Sequence, residues 1–282
     1  RGPTAPAPTP WPELVGLIRT EAETRGLPVP QQAVTPALPE SWTPAHADRS
    51  AVPGAVVVGL ADLPRQRAQV PVRWRPGLDA PAAWIGTAAG GVDEAARNVL
   101  AQLADHAPGP DAPGSAGETA VVLDGAGVLR PAGTTAWPAH WSVLTADQAT
   151  TEALAAALDR LRAELARPAP VRLVVTHWGR WATQRVGTGY ETVEEHLTQL
   201  LRDHGPGLLA VSLFGGRELA GGRVLGQIPT RFYLPAGTTP EHRMVWPTLQ
   251  RVREIPGRAV MVCPEHPAPG VAVQLAAPVA LC

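Results

Sequence analysis

The stretch AAWIGTAAGGVDEAARNVLAQLA at 82–104 constrains this chain more than any other. A short apolar run leads into a glycine-containing loop, and Val99, Leu100 and Leu103 then recur at helical spacing. The reading is buried strand, tight loop, helix. Within the loop, Gly86 and Gly91 stand five apart, the register of the phosphate-binding sequence G-x-x-x-x-G-K-[ST].

The same alternation continues downstream. Strands are expected at TAVVLD (119–124), VRLVVT (171–176) and LLAVSLF (208–214). Helices are expected at 147–167 and at 190–205, the second ending in Gly205. Shorter strands are expected at 230–235, 258–263 and 271–276, and upstream at 55–64 and 70–74. Nearly continuous apolar runs, separated by helices, predict an α/β fold with a mainly parallel sheet covered by helices on both faces. Residues 1–54 read differently. RGPTAPAPTP is a semi-extended Pro-rich segment, WPELVGLIRTEAETRG is one helix, and the many prolines of 27–54 predict irregular structure wrapped over the body. The expected organisation is a lead-in at 1–54 that links to a preceding domain, and a single domain at 55–282. The chain opens on Arg1 and reads as a processed chain or a piece of a longer polypeptide.

The loop Gly86, Thr87, Ala88, Ala89, Gly90, Gly91, Val92, Asp93 keeps the spacing of a phosphate cradle but not its chemistry. In a working loop the Lys reaches the β- and γ-phosphates and the Ser/Thr hydroxyl ligates Mg²⁺. Here Val92 has no charge and Asp93 carries a negative one. That makes the site less positive by two units, and one unit pair at 4 Å is worth roughly 4 kcal/mol at an effective dielectric near 20. All 24 Lys+Arg positions are Arg, so no displaced lysine can substitute, and the planar fork of Arg is a poor replacement in a tight loop. Asp93 and Glu94 also stand at the positive end of the expected helix, where they would occupy the anion site themselves or cap the helix. A second catalytic strand should be an apolar run ending in Asp. VRLVVT ends instead in Thr176, while Asp124 closes TAVVLD as a metal-related candidate or a turn residue.

The remaining composition excludes several classes. A net charge of −1 gives no basic footprint for nucleic acid. Cys263 and Cys282 make neither a disulfide framework nor a zinc site, which makes a reducing cytoplasm the default. No apolar run reaches about 18 residues. The eight His, among them His106, His140, His177, His196 and His204, show no zinc spacing, and no metal site is expected. Nine Trp are unusual: Trp178 and Trp181, or Trp137 and Trp141, are candidates for a peptide groove, with core packing as the alternative. Arg231 and Arg217 are candidate arginine fingers for a neighbouring site, with surface or packing roles as the alternative.

These segments, taken in order, resemble an FtsK/SpoIIIE-type ATPase domain, and most of all a tandem ATPase domain of the EccC proteins of type VII secretion. VVVGLADLPRQRAQVPVRW resembles that family's entry segment before the phosphate loop. VVLDGAGVL resembles its second core strand, and RLVVTHWGRW its Walker B strand, with Trp178 and Gly179 matching and Thr176 departing. GPGLLAVSLFGGRELAGGRVLGQIPTRFYLPAG resembles the next strands, IPGRAVMVCPEHPAPGVAVQLA the closing segment, and WPELVGLIRTEAETRG with ALPE the lead-in between domains. The resemblance covers roughly residues 11–276. It implies a RecA-like P-loop core and a cytoplasmic position in a membrane-anchored secretion complex, with the membrane reached only through other parts of a larger protein. It also implies neighbouring ATPase domains as partners. Some domains of that family are degenerate in nucleotide binding and take C-terminal signals of small helical secreted proteins. The departures at Val92, Asp93 and Thr176 point to that degenerate role, with no cofactor expected where the family uses ATP and Mg²⁺. An active translocase with unorthodox ligands and a purely structural domain are the competing readings.

Overall fold

The computed structural model describes residues 11–27, 35–105, 119–127, 137–138, 140–167, 171–204 and 208–277. The Pro-rich start at 1–10, His106, Gly205 and Cys282 lie outside these residues. In chain order the elements are α1 (Trp11–Thr24), α2 (His46–Ser50), β1 (Val56–Leu63), β2 (Ala68–Trp74), β3 (Ala82–Ile85) and α3 (Val92–Asp105). There follow β4 (Ala120–Asp124), β5 (Trp141–Thr145), α4 (Thr151–Leu165), β6 (Val171–Thr176), α5 (Val193–Asp203) and β7 (Leu209–Gly215). The last are α6 (Arg217–Ala220), β8 (Thr230–Tyr233), α7 (Pro240–Arg243), β9 (Arg258–Cys263) and β10 (His266–Leu275).

The ten strands form one sheet in the order β2-β1-β10-β9-β8-β3-β7-β6-β4-β5. From β8 to β5 every pairing is parallel. From β8 to β2 every pairing is antiparallel, so the second half is a wing added to the parallel half. In β3, Ala83 and Ile85 enter the core that α4 and α5 cover, whereas Ala82 and Trp84 enter the opposite core with α3. This is why the four residues AAWI carry no polar position: the strand is buried on both faces. Trp84 lies between Phe214 of β7 and Phe232 of β8, its register partners, with ring centroids at 4.6 and 5.1 Å. The stacked rings tie three parallel strands together on one face.

Element boundaries moved where caps decide them. The long helix expected at 147–167 begins at Thr151, because the Thr150 side chain accepts from Ala153 N and fixes the first turn. The helix expected from 190 begins at Val193, behind a capping box of Thr192 and Glu195. The strand β5 was not expected; its five residues carry no turn punctuation to mark them, and pairing with β4 supplies what the local pattern lacks. β10 begins five residues before the expected 271, since Pro267 and Pro269 sit in the irregular part of its ladder with β9. The lead-in is bound to the wing from residue 35 on. Thr35 donates to Asp62 at 3.1 Å, Gln69 donates to the Pro36 carbonyl at 2.6 Å, and Leu38 is buried. The helix α1 forms as expected and leaves Trp11, Leu14, Val15, Leu17 and Ile18 exposed.

Candidate functional site

A cavity of about 300 Å³ opens at the carboxyl ends of the parallel strands. It is walled by the loop after β3, by His177, Gly179 and Arg180 after β6, and by Gly215, Gly216 and Glu218 after β7. The strand β3 sits between β7 and β8, both of which come much later in the chain. The crevice therefore lies where strand order reverses, the place at which open α/β sheets bind ligands.

The loop itself is a closed turn. Residues Ala88–Gly90 form a single 3-10 turn with Gly91 in the left-handed region at φ 98°. Gly90 N donates to the Thr87 carbonyl at 2.9 Å and to its hydroxyl at 3.2 Å; Gly91 N donates to the Ala88 carbonyl at 2.9 Å. Val92 N donates to the Thr87 carbonyl at 3.3 Å. Three consecutive amides that a phosphate cradle would turn toward an anion are thus committed to the loop's own acceptors. Turning them outward would break those bonds, at a net cost of about 1 kcal/mol each.

Asp93 is the second residue of α3 rather than its cap, and its side chain lines the cavity. Across from it, His177 Nε2 stands 3.6 Å from Asp93 Oδ1. His177 has φ 52°, uncommon for a residue with a side chain, and its Nδ1 is buried without a hydrogen-bond partner. Glu94 takes no part: it pairs with Arg97 at 3.4 Å on the helix surface, so Asp93 alone stands at the anion position. Glu218 reaches in from α6 so closely that a Cβ on Gly179 would meet its carboxyl carbon at 3.1 Å. The charged side chains lining the cavity are thus Asp93, Glu218 and Arg180, beside the imidazole of His177.

Thr176 and Asp124 end neighbouring strands in register. The Thr176 hydroxyl donates to Asp124 Oδ1 at 3.1 Å and accepts from Gly125 N at 3.0 Å. Ala126 N donates to the same carboxylate oxygen at 3.1 Å. Both side chains are buried and neither lines the cavity. Asp124 thus holds the turn after β4, with Thr176 as its partner.

The tryptophan candidates are corrected. Trp178 and Trp181 are 0% exposed and belong to the core under α4 and α5, so neither lines a groove. The short helical turn after β6 rolls both rings inward, and Trp181 Nε1 donates to the Thr176 carbonyl at 2.9 Å. Trp137 and Trp141 stack with centroids 5.7 Å apart. Arg231 donates to the carbonyls of Ile228 and Leu225 at 2.7 and 2.8 Å, a packing role within its own chain. Arg217 is exposed at the start of α6. Sequence reasoning gave no site role to His177, Arg180 or Glu218. The available signal was position: the first two directly follow a β6 strand already assigned to the second catalytic motif, and Glu218 follows the Gly215-Gly216 pair that ends β7.

No protein-family model and no curated protein matches this sequence. Solved structures do match. The cytoplasmic domain of the type VII secretion ATPase EccC of Thermomonospora curvata superposes with a TM-score of 0.59 at 14% identity, over 85% of this chain and 28% of that one. ATPases 2 and 3 of the same organism's EccC, in complex with a signal sequence peptide, give 0.59 at 16% identity, over 85% of this chain and 44% of that one. The pCW3 conjugation coupling protein TcpA with ATPγS gives 0.60 at 14% identity, over 85% of this chain and 70% of that one. The chain thus has the P-loop ATPase fold of the EccC domains, as its sequence resemblance implied, and spans less than half of those EccC chains.

Proposed function

We propose that this chain is a domain of a type VII secretion motor that has lost nucleotide hydrolysis and acts in recognising secreted substrates or in regulating an adjacent ATPase domain. The observation that carries the reading is the closed loop at 87–92, whose amides are bonded internally beside Asp93, in a chain without a single lysine. A triphosphate entering the cavity would meet two carboxylates, Asp93 and Glu218, with one arginine, Arg180. The position of the Walker B carboxylate is held by Thr176, whose hydroxyl serves Asp124 and the following turn. Neither half of the Mg²⁺ and phosphate machinery is then in place.

By analogy with the fold's neighbours, such a domain acts through the surfaces by which neighbouring domains and substrates dock. The fold neighbours include multi-ATPase EccC chains, one of them bound to a signal sequence peptide. On this reading the partners are neighbouring ATPase domains of the same or a partner chain and C-terminal signal peptides of secreted proteins, and the domain works on the cytoplasmic side of a secretion complex. Phosphate release measured on the purified chain with Mg-ATP tests the loss of hydrolysis. The expected rate is that of buffer alone; turnover that Asp124→Ala abolishes would establish an active translocase with atypical ligands instead.

A further inference from the structure

The cavity's loop is gripped from outside by two segments of the wing. Gly237 lies so close that a Cβ there would meet Thr87 Oγ1 and the Ala89 Cβ at 2.9 Å. Gly257, just before β9, donates its N–H to the Gly90 carbonyl at 2.9 Å. Gly257 and Gly91 stand back to back: a Cβ on Gly91 would come within 2.9 Å of Gly257 N, and both have φ in the left-handed region, at 73° and 98°. The contact is backbone against backbone, so the loop has no side-chain slack to absorb a displacement of Gly257.

The residue after Gly257 leads away from the loop to the lead-in. Arg258 is 6% exposed, and the acceptors of its guanidinium are neutral. Its Nε donates to Gln274 Oε1 at 2.9 Å, and its terminal nitrogen donates to the carbonyls of Leu38 and Pro39 at 3.1 and 2.7 Å. A buried guanidinium held by main-chain carbonyls of a distant segment needs that segment in place, since without it the charge loses its acceptors. Gln274 also backs Gly257, where a Cβ would meet its Nε2 at 2.8 Å, and Leu275 N donates to the Gly257 carbonyl at 2.8 Å.

We infer that the lead-in at 38–39 sets the conformation of the cavity loop through a latch made of Arg258, Gln274 and Gly257. A load arriving from the N-terminal side of the body enters at this segment, moves Arg258 and Gly257, and acts on the Gly90 carbonyl at the far end. The latch concerns loop geometry and does not depend on whether the cavity takes a nucleotide, so it stands or falls apart from the proposed function.

Amide hydrogen exchange on the full chain tests it, with Leu38→Asp to dislodge the lead-in and Arg258→Met to cut the relay. Both variants should speed exchange at Gly90 and Gly91 by about tenfold or more beyond the factor by which the β6 amides speed up through loss of global stability. Faster exchange at Ala277, whose N–H donates to the Trp42 carbonyl, reports that the lead-in has left its place. Faster Ala277 with unchanged Gly90 and Gly91 would overturn the latch. An equal rise throughout β6 would also overturn it, because the contacts would then hold the whole fold. Arg253→Ala, which removes only the surface ion pair with Glu40, should leave the loop unchanged, and a loop response as large as that of Arg258→Met would overturn the buried route.

Discussion

In the parallel half, β3 is enclosed on both faces, and alternate residues of one four-residue strand feed two separate cores. In the wing, β2 is half-buried along most of its length and ends the sheet, and the Pro-rich lead-in is bonded to the strands. The parallel half supplies the cavity, through loops after β3, β6 and β7. The wing supplies no cavity wall, yet Gly237 and Gly257 at its near edge fix the loop's shape. Site geometry and site support are therefore divided between the two halves, which sets different expectations for substitutions in each.

The largest effect is expected where the parallel half is most tightly packed. Trp84→Ala removes the middle ring of the Phe214–Trp84–Phe232 stack and should lower unfolding stability by about 3–5 kcal/mol in denaturant titration. A loss below that of an ordinary surface substitution would mean that the two cores are not joined through this strand. Arg258→Met tests the wing in the same assay. Losing charge-assisted bonds to three acceptors, it should cost about 2 kcal/mol, less than the tryptophan because a buried charge is removed along with its bonds. A larger cost than that of Trp84→Ala would reverse the ranking of the two halves.

How much of this was legible in the sequence does not divide along the same line: the strands of the wing were all expected, and the strand that was missed, β5, ends the parallel half. The inner strands of the parallel half announce themselves because burial on both faces leaves nearly continuous apolar runs, as in AAWI and in VRLVVT, which only Arg172 interrupts. The loop's register was equally visible, and so was Val92 at the position where that register has lysine. In the wing the strands were legible but their details were not. β10 hides two prolines in an irregular ladder, and no local signal in Arg258 tells that two of its acceptors lie about 220 residues upstream. The tryptophans show the limit of spacing as evidence. Trp178 and Trp181, three apart, suit a groove or a core equally well, and only the turn after β6 decides for the core. His177 was missed for a similar reason, since its proximity to Asp93 comes from the start of α3 and the segment after β6 being brought together by strand order.

Smaller effects sharpen the comparison. Thr176→Val replaces a buried hydroxyl that bridges Asp124 and Gly125 with a methyl of similar size, and should cost about 1–2 kcal/mol. The change should show in thermal unfolding without altering nucleotide response, since neither Thr176 nor Asp124 lines the cavity. Arg253→Ala removes an exposed ion pair of the wing and should change stability by no more than about 0.5 kcal/mol, with any effect fading in high salt. A cost above that of Thr176→Val would show that the lead-in is held by its surface charges rather than by the buried Arg258.

The central claim is that the loop at 87–92 is closed to phosphate, and calorimetric titration of the full chain with Mg-ATP tests it most directly. The account predicts no saturable heat up to millimolar nucleotide. A micromolar dissociation constant with one nucleotide per chain would contradict it, for that affinity requires the Gly90, Gly91 and Val92 amides to turn outward past Asp93.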